Sequence, residues 1–572
     1  MGRPLYPSSF DLPSDRRLYH IIAPRGQPLL LWQRDTDWGI NDPMKGNSNT
    51  RREWLLPVLI IALAAAVRFH RLGAQSYWID EILSLDAAGA PEGISFWEKV
   101  LHNVHGPLHA VVIHPLRNIS LSEWILRAPS AAAGTASVAF LYRWLVMLGR
   151  RDVALYGALF FALSPFNLYY SQELRYYSLM VMFAVIVLIV YERFLEDPAY
   201  RRGALLGLVL AAATLSHISA LFLAAGLFVH LLVTGRLKGR HLASGFAAAL
   251  IMLLLVSPWI YREIVFLREI RVVQISELPA EERLRGELTL NIWSYPYILY
   301  AFSAGYSFGP SLRDLHEVYS AAQLLGGYWR EMAVVGLLFG LLAAAGLRRA
   351  FADGRLALFL SILLTAVVLT TAAAALNIKV FNVRYLMVSF PLYIALLAYG
   401  LPRAPRPRIL LAAAVCAVMI ASSWNYHMDP AYARDDIRGA VSVISEGERK
   451  GDIVVAVNSI GVIEHYYEGG NRLLELSPKR IGAEATHGRV ERLLAAGNRI
   501  WYLRCRHWDT DPDDLLLGAL RARSSALGAW RFPGVDLYLF GIEREVVVMC
   551  GRRQAYGRQG RLTEGKTRIY YQ

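Results

Sequence analysis

Four short stretches of the chain concentrate side chains able to do acid–base or anion-binding chemistry. The first is Ser76-Tyr77-Trp78-Ile79-Asp80-Glu81. Asp80 and Glu81 are adjacent, so on a helix they point different ways and need not act as a pair. One reading makes Asp80 a general base; the other makes both residues the acidic first turn of an interfacial helix. The second is His102-Asn103-Val104-His105-Gly106-Pro107-Leu108-His109, with histidines three and four apart. These suit a metal ion or an anionic head group, or a turn with internally satisfied rings, and Pro107 argues against one helix through all three. The third is Tyr169-Tyr170-Ser171-Gln172-Glu173-Leu174-Arg175-Tyr176-Tyr177-Ser178, where Gln172, Glu173 and Arg175 are packed between tyrosines. Arginine matches phosphate geometrically; the plainer reading is an aromatic belt with an internal Glu173–Arg175 charge balance. The fourth is Asn377 to Tyr385, holding Lys379 and Arg384, which are anion ligands or a snorkelling pair. His217 stands alone in an apolar stretch, where a packed, satisfied histidine is the commoner case.

What positions these groups is a membrane bundle. Hydrophobic residues make up 55% of the 572 positions, charged residues 19%, and mean hydropathy is +0.33. A soluble chain carries about a quarter charged residues. The apolar residues come in blocks near the length a span needs. About eleven spans are expected, near 54–72, 124–148, 152–170, 178–193, 203–216, 218–234, 242–261, 331–347, 356–376, 386–401 and 409–426. The net charge of +14 resides in the connections, which favours topology over nucleic-acid binding. Short loops 149–152, 193–202, 235–241, 347–355 and 402–408 hold fourteen arginines and lysines, against three (Arg175, Lys379, Arg384) in 171–177 and 377–385. This bias places residues 1–52 in the cytoplasm as a polar tail. It places the loops 73–123 and 262–330, and everything after 427, on the other side. All four chemical stretches then share that extracytoplasmic face, and clustered charge beside hydrocarbon usually serves a site.

Residues 427–552 read as a small α/β domain, with strands at Gly451–Val457, Arg499–Leu503 and Val535–Ile542 alternating with helical segments, followed by a polar tail at 553–572. Cys416 reads as a core hydrophobe, and Cys505 and Cys550 are able to pair in an oxidising compartment. No metal-type cysteine spacing is present.

Together these stretches resemble the GT-C glycosyltransferases, in the branch of protein O-mannosyltransferases and lipid A aminoarabinose transferases. Ser171-Gln172-Glu173-Leu174-Arg175-Tyr176-Tyr177-Ser178 is similar to that branch's Ser-Gln-x-x-Arg-Tyr-Tyr signature. His105-Gly106-Pro107-Leu108-His109 is similar to its His-Pro-Pro-Leu-Tyr stretch, with Gly106 and His109 replacing the first proline and the tyrosine. Tyr77 to Glu81 and Arg384-Tyr385-Leu386 match in order and membrane side. The resemblance covers roughly residues 54–426. It implies an inner-membrane enzyme that moves a sugar from a polyprenyl-phosphate donor to an envelope acceptor, with inversion. It implies Asp80 as catalytic base with Glu81 beside it, Arg175, Lys379 and Arg384 on the donor phosphate, and His105, His109, Gln172, Glu173, Tyr176, Tyr177, His217 and Tyr385 around the substrates. A divalent cation as cofactor stays open. So do two other functions: a transporter or flippase for a lipid-linked or anionic substrate, and a non-catalytic sensor or assembly protein that binds through its C-terminal domain.

Overall fold

A computed structural model describes residues 48–89, 95–101, 106–276, 289–317, 321–495 and 498–541, with a few isolated positions besides. Within the first 54 residues, Ile21–Ile22 and Pro28–Leu29 form a two-residue antiparallel ladder. His105, Cys550 and the 553–572 tail lie outside the described residues.

A helix covers each of the eleven apolar stretches. Six of the described helices are long and apolar enough to cross a membrane, or seven if the pair Arg151–Leu163 and Pro165–Ser171, bent by 54°, counts as one span. Helices such as Ala220–Val233 are shorter. The outward faces are apolar: Leu254 is 65% exposed, Leu337 65% and Leu410 71%. Such a surface suits contact with lipid. Small residues let helices touch backbone to backbone. A Cβ at Gly203 or Gly207 of Tyr200–Ser216 would collide with Ser244 or Ala248 of Gly239–Ser276. This is the four-residue spacing of small residues that membrane helices use for close approach.

The bend before Pro165 has a sequence cause. Pro165 opens the second helix, where it needs no backbone N–H, and Ser164 Oγ accepts from Asn167 N at 3.2 Å. The break frees carbonyls at Phe161 and Ala162. Arg68, buried in Ser48–Phe69, donates to both at 3.1 and 3.0 Å and to Asn167 Oδ1 at 2.9 Å. Tyr169 and Tyr170, on the helix after the bend, both line the cavity described below.

The connections expected as long loops are largely helical. Residues 73–123 contain Ile79–Ala87, Phe96–Leu101 and Pro107–Arg117. Helix Gly239–Ser276 runs well past 261, and Ser294–Ala304, Leu312–Glu317 and Ala321–Ala352 occupy much of 289–352. The apolar pattern stops where Arg262, Glu263, Arg268 and Glu269 enter. Those residues are good helix formers, so the helix continues although the hydrophobic run ends.

After Pro405–Met428 the chain forms a mixed five-stranded sheet. Its strands are β1 (Ile453–Ala456), β2 (Arg472–Glu475), β3 (Ile500–Cys505), β4 (Ser525–Phe532) and β5 (Val535–Gly541), in the order β2-β1-β3-β5-β4. β1 runs parallel to β2 and β3, while β5 is antiparallel to β3 and β4. Alternate residues of β1 and β3 feed apolar clusters on the two faces, Val454 and Trp501 on one and Val455 and Tyr502 on the other. β2 and β4, both largely unburied strands, escape the hydrophobic pattern. Helix Ile437–Gly447 begins where Asp436 caps it, its Oδ1 accepting from Gly439 N at 3.0 Å.

Candidate active site

The site is assembled around the turn at 73–81. Glu81 is fully buried, and Arg127 grips it with two bonds of 2.8 Å, Nε to Oε1 and Nη2 to Oε2. The Leu174 amide adds a third at 2.7 Å. Arg127 also donates to the carbonyls of Leu72, Gln75 and Ser76, so the pair fixes both the turn and the helix after it. Burial pushes the Glu81 carboxyl up, and Arg127, Arg434 and the Leu174 amide more than reverse this, holding it below the usual carboxylate range. Glu81 does not line the cavity described below, so it is fastened inside the protein while its neighbour Asp80 faces outward.

Asp80 is 21% exposed, and two arginines meet it. Arg384 Nη1 donates to Asp80 Oδ2 at 3.2 Å. Arg175 Nη2 stands 3.6 Å from the same oxygen, and its Nη1 donates to the Asp80 carbonyl at 2.7 Å and to Ser84 Oγ at 2.9 Å. Arg384 is delivered by the 3-10 turn Val383–Ser389, opened by Asn382, whose Oδ1 accepts from the Arg384 amide at 3.1 Å. The Nε groups of both arginines are buried and make no hydrogen bond among the described residues.

Asp80 and Arg384 open onto a cavity of about 800 Å³. Tyr169, Tyr170, Glu173 and Tyr306 line it, together with Arg434, Asp435, Arg506 and Trp508 from the C-terminal part of the chain. Tyr170 and Tyr306 share a hydrogen bond of 2.8 Å. Glu173 is fully buried. Arg434 Nη2 lies 3.2 Å from its Oε1, yet among the described residues neither carboxylate oxygen receives a hydrogen bond. Burial, opposed by Arg434 and reinforced by Glu81, raises its carboxyl to about 7.

The other expected site residues divide. His217 is stacked between Tyr176 and Tyr385, at ring separations of 4.6 and 6.0 Å, and its Nδ1 lies 2.7 Å from Ser219 Oγ. Tyr177 abuts the same ring at 5.5 Å, and His109 meets Tyr176 edge-on at 6.2 Å. Arg175 donates to Tyr176 at 2.8 Å. This aromatic group backs the arginines and lines none of the large cavity. Gln172 is tied to the carbonyls of Arg68 and His70 at 2.9 and 2.8 Å, so it fastens the loop to the first helix. Lys379 is exposed and does not line the cavity, which this stretch reaches only from Phe381 onward. Among the described residues, no three His, Cys, Asp or Glu side chains converge as a metal ion requires.

Three participants escape a reading of local pattern. Arg127 lies in the second turn of the apolar helix Glu123–Met147, Tyr306 in a connection, and Arg434 in the polar run Arg434-Asp435-Asp436. An arginine inside an apolar helix is the one available signal, and Arg127 carries it.

Residues 104–261 match the family model described as dolichyl-phosphate-mannose-protein mannosyltransferase. No curated protein sequence matches the chain. Among solved structures, ArnT from Cupriavidus metallidurans in the apo state aligns over 86% of this chain and 98% of its own, with a TM-score of 0.52 and 15% identity. The same protein bound to undecaprenyl phosphate gives a TM-score of 0.46 at 16% identity, over 84% and 97% of the two chains. The Pmt1–Pmt2 complex of S. cerevisiae bound to the sugar donor gives 0.32 at 19% identity, over 44% and 37%. The apolar helices make the chain a multi-pass membrane protein, its fold is similar to that of apo ArnT, and over residues 104–261 it matches the protein-mannosyltransferase family model.

Proposed function

We propose that this protein transfers a sugar from a polyprenyl-phosphate donor to a hydroxyl of an envelope acceptor, a glycolipid, polysaccharide or protein. The reaction takes place on the extracytoplasmic side of a bacterial inner membrane and inverts the anomeric centre. The observation that carries this reading is a carboxylate at a cavity edge in contact with two arginines from distant parts of the chain, Asp80 with Arg175 and Arg384.

In the proposed step the acceptor oxygen attacks the anomeric carbon and its proton passes to Asp80. The carbon–oxygen bond to phosphate breaks, and the lipid phosphate leaves with the electron pair. Inversion requires the base on the face opposite the leaving group. Arg384 and Arg175 neutralise charge as it builds on the phosphate, a role suited to donors already held in place. Asp80 and the phosphate compete for the same guanidiniums. Donor binding therefore loosens the hold on Asp80 and frees it to accept a proton. A site where bundle meets cavity also serves the donor, whose isoprenoid chain stays in lipid while its sugar phosphate projects out. The N-terminal tail is then cytoplasmic and the sheet domain extracytoplasmic, as the arginine bias of the short loops implies.

The test uses proteoliposomes loaded with polyprenyl-phosphate sugars and envelope acceptors. Wild-type protein is expected to release polyprenyl phosphate and form an inverted product, and Asp80→Asn neither. Transport of the lipid across sealed vesicles without sugar transfer would overturn the reading in favour of a flippase.

A further inference from the structure

The segment leading into the sheet domain reaches back to the turn that carries Asp80. Arg434 is 6% exposed, and its guanidinium lies between two buried carboxylates. Nη1 is 3.4 Å from Glu81 Oε2, and Nη2 is 3.2 Å from Glu173 Oε1. The same group faces the carbonyls of Gln172 and Tyr169 at 3.4 and 3.5 Å and covers the Tyr169 ring at 4.9 Å. Its backbone N–H donates to Gln75 Oε1 at 3.3 Å. Nearby, Ser76 Oγ donates to Asp436 Oδ1 at 3.0 Å, and Arg438 donates to the Ala74 carbonyl at 2.8 Å. Glu81 has Arg127 as a second partner. Among the described residues, Arg434 is the one cation in ion-pair range of Glu173.

Joining two parts of a protein does not need this arrangement. Desolvating several charges is costly, and apolar side chains of equal volume often hold as well. A planar, forked cation fixes direction, which apolar packing does not. Here the direction fixed is that of residues 75–81, from which Asp80 projects. We propose that Arg434 is a positioning residue for the transfer step, holding the Asp80 turn in register through Glu81 and Glu173, so that the C-terminal domain is a structural half of the catalytic centre. This rests on the reading of Asp80 as base.

The experiment compares the full-length wild type with Arg434→Met, Arg434→Lys and the double variant Arg434→Met/Glu173→Gln in proteoliposomes. Arg434→Met is expected to bind undecaprenyl phosphate as the wild type does and to keep its KM. Its kcat should fall about 100-fold, the scale set by a misplacement of about 1 Å in a reacting group. Arg434→Lys should recover part of that loss, because one ammonium cannot span both carboxylates. The Tm of Arg434→Met should fall and return in the double variant, where no bare carboxylate is left buried. If Arg434→Met does not insert, Arg434→Lys decides alone: reduced kcat at constant KM supports the proposal, and wild-type kcat overturns it. Wild-type kcat in Arg434→Met also overturns it, as does a loss that merely tracks the folded fraction. Active wild type with inactive Asp80→Asn and fully active Arg434→Met removes this inference alone; an inactive wild type removes the parent reading and this inference together.

Discussion

Asp80 Oδ2 and Arg384 Nη1 meet at 3.2 Å although the two residues are 304 positions apart in sequence. A carboxylate so placed at a cavity edge is open to solvent and substrate, and little of the fold depends on it. Asp80→Asn keeps the shape and removes the proton acceptor. The expected result is a loss of transfer of about 10²- to 10⁴-fold, the range for one general base, with unchanged insertion and Tm and with undecaprenyl-phosphate binding at least as tight as in the wild type. Steady-state release of polyprenyl phosphate measures the first, and titration with the lipid the last. Turnover at the wild-type rate would remove Asp80 from the mechanism.

Arg384 and Arg175 contact the same carboxylate but differ in surroundings. Arg384 is 23% exposed at its side chain; Arg175 is 2% exposed and also ties the Asp80 carbonyl and Ser84. Arg384→Met should weaken binding of the lipid phosphate about 10- to 100-fold, the worth of one charge-assisted hydrogen bond of about 1.5–3 kcal/mol. Its Tm should change little. Arg175→Met should lose both binding and Tm, because the turn loses three bonds at once. Equal Tm losses in the two variants would contradict this division.

Much of the bundle was legible because burial in lipid imposes a crude rule, long apolar runs with cations between them, and a helix does cover each such run. The rule fails where helices are built from charged residues, as in Gly239–Ser276 beyond Arg262. Asp80, Arg175 and Arg384 stood out because each is a charge flanked by aromatic and apolar neighbours. Arg434 did not, since a charged residue in a polar run looks solvated until the fold buries it between Glu81 and Glu173. Lys379 misled for the opposite reason. It shares a short stretch with Arg384, but the turn at Asn382 sends only the later residue inward.

Glu81 and Arg127 form a pair exposed by 0% and 1%. Removing one partner strands the other charge in the interior. Arg127→Met or Glu81→Gln should each destabilise the protein by about 3–5 kcal/mol, the usual cost of breaking a buried pair. The loss should appear as a lower Tm in lipid nanodiscs, with protease cleavage opening at the 73–81 turn. The double variant should be less unstable than the two losses summed, because no bare charge remains. Strict additivity would mean that the pair acts as two independent residues.

Glu173 gives the protein a pH dependence whose sign is set by burial. Its carboxyl rises from the ordinary 4.5 to about 7 in the folded chain. Between those values the folded protein holds a proton that the unfolded chain has lost, so stability falls as pH rises through that window. The contribution is complete below about 4.5 and gone above about 7, and at one unit per 1.36 kcal/mol it amounts to roughly 3 kcal/mol at most. After burial, the charges acting on this carboxyl are Arg434 and Arg175, which lower it, and Glu81 and Asp80, which raise it. Glu173→Gln abolishes the titration without changing the shape. The expected outcome is a Tm that declines from pH 4.5 to 7 in the wild type and a flatter profile in the variant. A wild-type slope that survives Glu173→Gln would assign it to another buried group.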